Sequence, residues 1–544
     1  MSYDLGILNG RIVDGSGNPW YYGDIGIVGK KIERIGRVGR AECRRAIDAR
    51  NLYVCPGFID IHTHSDLTPF DHPGCDSTLR QGVTTHLNGN CGDSPAPLKG
   101  PGAAAWRKHT RMRDEWDWTS FGEYLRALES LRLGHHIGTL VGHNTVRAMA
   151  MGWQRREPNA KELRFMKDLV EESMLDGAFG LSTGLVYPVG CFAKTDEIVE
   201  LCKVVARYGG MYASHIRGER ETIMKAIKEA IEIGRRSGAR VQISHNCPKQ
   251  GASGRTKESL GLVEKARGEG LEVTIDNDVH TDFGPTLGHA LPPYLHELDK
   301  AELARLLADP KVRAKVRKEM IDDKLPAPGY GGLYKHGLFN RIFILYAPGL
   351  KGLEGKTLAQ LAKARRKDSW DVYFDLIIES KDTIVTLCDY IEEKDIRALM
   401  VHPLMMFSSD CAACALTGSE KDRAEYSPCS YGEYPGIFER YVRDEPVLSI
   451  QEAVRKMTSF PAQKIGLYDR GLLRPGMVAD IAAIDLSRIK DNATNLWPHK
   501  YPFVNFPPRY PEGIPYVVVA GQLAVDRGRQ TKVRAGEVLR QKAP

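Results

Sequence analysis

The chain has 544 residues, 76 basic and 69 acidic, with a net charge of +7. That length supports one large domain with a smaller companion. The positive charge is scattered, without the basic, aromatic-interleaved stripe that binds nucleic acid. No apolar run approaches about 18 residues and no secretory pattern opens the sequence, so a soluble, cytoplasmic protein without a membrane partner is expected.

Residues 1–53 read as short strands, Tyr3–Leu8, Arg11–Val13, Gly23–Val28 and Lys31–Ile35. Asn9-Gly10, Gly15-Ser16-Gly17 and Gly29-Lys30 serve as the turns, Asn-Gly being a strong hairpin signal. From residue 54 to about 470, apolar runs alternate with amphipathic helical stretches, the pattern of a parallel sheet with crossover helices. Eight candidate strands, Val54–Ile61, Thr84–Leu87, Gly138–Gly142, Phe179–Ser182, Met211–Ala213, Val241–Ser244, Val273–Ile275 and Leu404–Phe407, predict an α/β fold, a (β/α)8 TIM-like barrel with insertions.

The largest insertion spans about 285–400 and is expected at the barrel mouth. It contains a charged helix (Lys300–Ile321), a turn (Pro326–Gly332) and two apolar runs (Ile342–Tyr346 and Thr383–Leu387). In 471–544 the β character returns, in Ala479–Asp485 and Ile514–Asp526 around an unassigned Trp497–Pro511. Residues 1–53 and 471–544 are expected to form one small β-sandwich. Eleven cysteines without framework spacing indicate free thiols or ligands.

The chemistry starts at Pro56-Gly57-Phe58-Ile59-Asp60-Ile61-His62-Thr63-His64. Alternate strand residues point the same way, so His62 and His64 leave the strand side by side, a bite suited to zinc. Other strand ends carry Asn90-Cys91-Gly92-Asp93-Ser94, Gly142-His143-Asn144, Ser214-His215-Ile216-Arg217, Ser244-His245-Asn246 and Ser408-Ser409-Asp410. A single strand-end histidine is usually an ordinary hydrogen-bonding group. Four histidines, a cysteine and an aspartate at successive mouths of one barrel predict a metal centre.

These stretches, with Gly180-Leu181-Ser182-Thr183-Gly184-Leu185-Val186-Tyr187-Pro188 and Gly466-Leu467-Tyr468-Asp469-Arg470-Gly471, resemble the D-aminoacylase (N-acyl-D-amino-acid deacylase) branch of the metal-dependent amidohydrolase superfamily. The resemblance covers nearly the whole chain. It implies a tight Zn2+ site at Cys91, His215 and His245, and a weaker one at His62, His64, the shared Cys91 and Asp410. It further implies hydrolysis of a C–N bond in a small-molecule amide by a metal-activated water, with Asp410 as general base. His143 and Tyr187 match positions near the substrate carbonyl. A cyclic amide or imide ring-opener is the other enzymatic reading. A non-catalytic scaffold would be expected to lose ligands or the base, and this chain keeps them.

Relatives acting on N-acyl-D-amino acids hold the substrate carboxylate with a lysine, a tyrosine and an arginine. Cys247, Asp278 and Cys429 stand at those positions here. Two cationic positions have become neutral cysteines and an anionic Asp278 would repel a carboxylate, so the expected substrate is an N-acylated amine or specialised metabolite without a free α-carboxylate. The ordinary deacylase activity is the alternative if Lys249 or Arg423 restores the anchor. Cys411-Ala412-Ala413-Cys414 reads as small-residue packing rather than a redox or zinc half-site.

Overall fold

The structure is a computed structural model and describes residues 2–110, 112–322, 332–416, 427–493 and 510–542. Phe58–Asp60, Val83–Asn88 and His136–Thr139 pair in parallel as one arc. Val141–Gly142, Gly180–Gly184, Met211–His215, Arg240–Ile243, Val273–Asn277 and Met405–Phe407 form a second parallel arc in that spatial order. The arcs meet at two seams. At one, Leu140 N–H donates to the Asn88 carbonyl at 2.9 Å and Phe179 N–H to the Thr139 carbonyl at 3.0 Å. At the other, Asp410 N–H donates to the His62 carbonyl at 3.0 Å, and Thr63 bridges Cys411.

The product is a closed eight-position barrel, its third strand interrupted at Leu140. Val83–Asn88 and Met211–His215 are buried along their whole length, as strands covered on both faces must be. Crossover helices such as Ala160–Asp176 and Ile223–Ser237 cover the outside. The first of these is capped by Asn159, whose side chain accepts from the N–H groups of Lys161 and Glu162.

Both termini enter one further sheet, in which nine strands among the described residues hydrogen-bond together. Its centre pairs Tyr53–Pro56 with Ile481–Ile484 antiparallel and with Tyr3–Ile12 parallel. Ile7, Ile25, Ile27, Val54, Ile481 and Val518 share its core. The apolar run expected as a single strand from Val54 to Ile61 is therefore divided. Tyr53–Pro56 belongs to the terminal sheet, Phe58–Asp60 belongs to the barrel, and Gly57 lies between them. A Cβ on Gly57 would sit 2.3 Å from Thr84, so only glycine allows that close passage.

Asn9-Gly10 is not a hairpin turn either. Tyr3–Ile12 runs through it as one strand with a register shift, and Asn9 adopts φ +65 while its N–H donates to Asp24. The bulge uses the same left-handed freedom that a turn would have used.

The insertion contributes a three-stranded antiparallel sheet, Asp282–Phe283, Val385–Asp389 and Ile342–Tyr346. The charged helix divides into Lys300–Leu307 and Pro310–Asp322, because Pro310 opens a new helix rather than continuing the old one. Most of the expected turn at Pro326–Gly332, and of Trp497–Pro511, lies outside the described residues. No helix of the described residues is long and apolar enough to cross a membrane.

Barrel and terminal sheet are joined by a buried polar knot. Asp480 accepts from Ala520 N–H at 2.8 Å and Arg470 Nη1 at 3.2 Å, and lies 3.1 Å from His136 Nε2. Burial opposes its charge, but His136 and Arg470 hold its carboxyl below the usual carboxylate range. Asp480→Ala strands both partners, so unfolding in urea should show a loss of about 3–5 kcal/mol. Because the folded value is the lower one, the wild-type contribution is complete above about pH 4 and fades as pH falls through the folded value.

Candidate metal centre and its cavity

The barrel's carboxyl-terminal mouth gathers a thiol, four imidazoles and a carboxylate. Cys91 Sγ lies 3.4 Å from His62 Nε2, 3.6 Å from His215 Nδ1 and 3.7 Å from His245 Nε2. Asp410 Oδ1 lies 3.0 Å from His64 Nε2 and 3.2 Å from His62 Nε2. Two overlapping groups result, His62–His64–Cys91–Asp410 and Cys91–His215–His245. The donor atoms of each lie within 4.8 Å of one another. One thiolate with imidazoles, screened from water, is the donor chemistry that zinc prefers.

Electrostatics support a cation at this point. At Cys91 burial opposes ionisation, yet His62, His215 and His245 pull the thiol well below its usual range. Burial likewise opposes the charge on Asp410, and His62 and His64 hold it well below the carboxylate range. His62 is raised against its burial by Cys91, Asp410 and Asp276, and His245 is raised to about 10 by Glu219 and Cys91 against the same penalty. A buried cluster that holds its anions ionised and draws positive charge suits a divalent ion.

Each group is placed by the strand it follows. His215 ends Met211–His215, and His245 and Asp410 come just after Arg240–Ile243 and Met405–Phe407. Cys91, His245 and Asp410 all have left-handed backbone, with φ of 52, 32 and 51. Such φ values cost about 1–2 kcal/mol per non-glycine residue. The surrounding barrel must therefore impose them, and they concentrate where chemistry needs an aimed side chain.

Two carboxylates stand behind the imidazoles. Asp276 lies 3.3 Å from His62 Nδ1 and accepts from Gln242 Nε2 at 2.6 Å and from His245 N–H at 3.1 Å. Glu219 Oε1 lies 2.7 Å from His245 Nδ1, and its Oε2 lies 3.4 Å from His215 Nε2. A carboxylate behind an imidazole orients the ring and raises its basicity toward a metal.

A cavity of about 820 Å³, part of it open to solvent, opens onto this centre. His215, His245 and Asp410 form one end of its lining, with Tyr187 beside them; its hydroxyl is 3.3 Å from His215 Nδ1. The insertion supplies further lining, including His289, Leu333, Tyr334 and Tyr390. Lys249, Glu219 and Arg220 complete the lining. Lys249 Nζ is 2.5 Å from Glu219, whereas Arg220 stacks on Tyr390 at 5.0 Å and has no acid partner among the described residues.

The amidohydrolase family profile matches residues 45–207 and 419–525. A D-aminoacylase of Alcaligenes xylosoxydans xylosoxydans is 31% identical over 493 residues, covering 90% of each chain. The chain belongs to the amidohydrolase family, in its D-aminoacylase branch. An N-acyl-D-glutamate deacylase of the same organism is also 31% identical, over 99% of this chain and 97% of its own. The solved N-acyl-D-glutamate deacylase of Bordetella bronchiseptica, complexed with zinc and a phosphonate mimic of the tetrahedral intermediate, superposes with a TM-score of 0.79. It is 27% identical and covers 99% of this chain and 100% of its own. A D-aminoacylase structure described for its binuclear metal centre gives 0.78 at 29% identity, with the same coverage. This amidohydrolase is thus a metal-dependent hydrolase of carbon–nitrogen bonds other than peptide bonds.

The candidate ligands His62, His64, Cys91, His215, His245 and Asp410 converge in space, and Tyr187 and Lys249 face the cavity. Other expected site residues do not line it. His143 is fully buried, at the start of the helix His143–Met151, with its Nε2 2.8 Å from Glu197 Oε1. Glu197 also pairs with Arg147, and His143 is not among the residues lining the cavity. Cys247 is completely buried, and neither it nor Asp278 nor Cys429 lines the cavity. Asp278 is pushed well above the carboxylate range by burial and by neighbouring Glu433. Arg423 lies outside the described residues.

Glu219, Arg220 and Asp276 were not anticipated as parts of the site. Glu219 sits four residues after His215, and that spacing was its only signal. Asp276 lies just past the expected run Val273–Ile275, yet it belongs to the barrel strand Val273–Asn277, with 1% exposure.

Because Cys91 belongs to both groups, Cys91→Ala should lose the zinc that these two groups hold, and activity with it. His62→Ala should keep the equivalent held by Cys91, His215 and His245. Elemental analysis of the dialysed proteins checks both, and full zinc in Cys91→Ala would refute the shared-thiolate arrangement.

Proposed function

We propose that this amidohydrolase is a zinc-dependent deacylase of N-acylated amino acids, releasing the free amino acid by hydrolysis of its amide. The carrying observation is Arg220, a guanidinium without an acid partner among the described residues, lining the same cavity as Asp410 and the histidines. An N-acyl amino acid has an amide and a carboxylate a few bonds apart. The cavity lining brings together donors of the candidate metal centre and a cationic group for the carboxylate. The expectation of a carboxylate-free substrate rested on the loss of three anchors, at Cys247, Asp278 and Cys429; none of these lines the cavity, whereas Arg220 does. Relatives named as D-aminoacylase, N-acyl-D-glutamate deacylase and N-acyl-D-aspartate deacylase favour the D-series of the same substrate class.

The donor set fits zinc: Cys91, His215 and His245 would hold one ion, and His62, His64, Cys91 and Asp410 a second. Zinc, when bound, lowers the pKa of a water and polarises the scissile carbonyl. The ionised Asp410 carboxylate takes the proton of the attacking water and returns it to the departing nitrogen, which cannot leave unprotonated. Tyr187 directs its hydroxyl to the developing oxyanion. Glu219 holds the rings of His215 and His245 and also neutralises Lys249, which leaves Arg220 as the uncompensated charge toward substrate.

Asp410→Asn preserves shape but accepts no proton, so kcat should fall by roughly 10²–10⁴ while zinc content is retained. Turnover within a few-fold of wild type would assign the proton transfer elsewhere. For the substrate, N-acetyl-D-amino acids should exceed their carboxamides in kcat/KM by about tenfold or more, equivalent to about 1.4 kcal/mol. Arg220→Ala should erase that preference mainly through KM. Equal rates for acids and carboxamides in the wild type would exclude the carboxylate reading.

A further inference from the structure

Outside the cavity, a second set of metal-type donors is buried near the barrel mouth. Cys429 and Glu433 lie four residues apart on the helix Cys429–Gly436, a spacing that puts both on one face. His280, from the segment after Val273–Asn277, meets them, and the three donor atoms lie within 4.8 Å of one another. Glu433 Oε2 is 2.7 Å from His280 Nδ1 but out of alignment for a hydrogen bond. Glu433 is 0% exposed, and its Oε2 accepts no hydrogen bond, while Oε1 accepts from Val279 N–H at 3.0 Å. Asp278 interacts with Glu433 and His280, and its buried Oδ1 also lacks a hydrogen-bond partner. One imidazole thus faces two carboxyl groups and a thiol.

We propose that His280, Cys429 and Glu433 form a separate binding site for a thiophilic divalent cation of the zinc class, distinct from the centre around Cys91. Sulfur, imidazole nitrogen and carboxylate oxygen in one water-poor pocket select zinc over magnesium or calcium, which take oxygen ligands. The three donors leave the fourth tetrahedral position to water, with Asp278 beside them. Without a cation, burial pushes the Glu433 carboxyl upward despite His280. A divalent ion relieves that penalty and satisfies the orphaned oxygen. Mechanically, the ion would tie the segment after Val273–Asn277 to the helix Cys429–Gly436. Cys411, the neighbour of Asp410, touches the same region through its hydrogen bond to Ser427 at 3.2 Å.

The test separates this site from the catalytic one by metal chemistry alone, without reference to turnover. In Cys91→Ala protein, the thiolate shared by the catalytic groups is absent. Added cobalt(II) should still bind one equivalent and show thiolate-to-cobalt charge-transfer absorption in the near ultraviolet. Adding Cys429→Ser should abolish that band with the fold intact by circular dichroism. In an otherwise wild-type background, Cys429→Ser and Glu433→Gln should each carry one zinc equivalent fewer than wild type by elemental analysis. This arm decides the matter if Cys91→Ala does not fold. Cys91→Ala protein that folds without the cobalt band, or Cys429→Ser protein with the zinc content of wild type, overturns the site.

Discussion

The interaction on which the rest depends is the meeting of the Cys91 thiol with His62, His215 and His245 at the barrel mouth. These residues come from four separate strand ends, so nothing but closure of the barrel brings them together. Closure has a local cost as well, since Cys91, His245 and Asp410 are all held in left-handed backbone. The seam bond from Asp410 N–H to the His62 carbonyl shows how it is met. The hydrogen bond that closes the barrel also places the carboxylate against the imidazoles.

Behind this ring of donors the two carboxylates have different jobs. Asp276 is fully enclosed, with Gln242, Ser408 and the His245 backbone donating to it while it faces His62. Glu219 lies between the metal centre and the cavity and reaches His215, His245 and Lys249 at once. It therefore couples ring orientation to the charge that a substrate meets. Neither carboxylate replaces a metal ligand, yet each determines which imidazole nitrogen is free to become one.

Much of the architecture was legible because buried parallel strands are near-continuous apolar runs that end in polar residues. Runs such as Met211–Ala213 and Val273–Ile275 carry that pattern openly. The candidate ligands could be read for the same reason, as polar residues just past such runs. His143 looked the same in one dimension as His215. A helix begins at His143 itself, however, and turns its ring to Glu197, a partner 54 residues away that no local pattern reveals. Gly57 was likewise invisible as a boundary, because the apolar pattern continues across it while the two halves enter different sheets. Arg220 and Glu219 escaped notice because they lie past a strand end, where the path of the chain depends on the distant insertion that packs on it.

That insertion is stitched to the barrel at one place of particular interest. Lys249 forms a bridge with Ile391, and Gln250 N–H donates to the Tyr390 carbonyl at 2.8 Å. Arg220 and Lys249 both lie against the ring of Tyr390, at 5.0 and 5.2 Å. The donors around Cys91, by contrast, are held entirely by barrel strand ends. Part of the cavity wall is thus written in a stretch of chain separate from the donors around Cys91. Variation between residues 285 and 400 can reshape that wall while the donors around Cys91 stay where they are, so the cavity is free to diversify around a fixed centre.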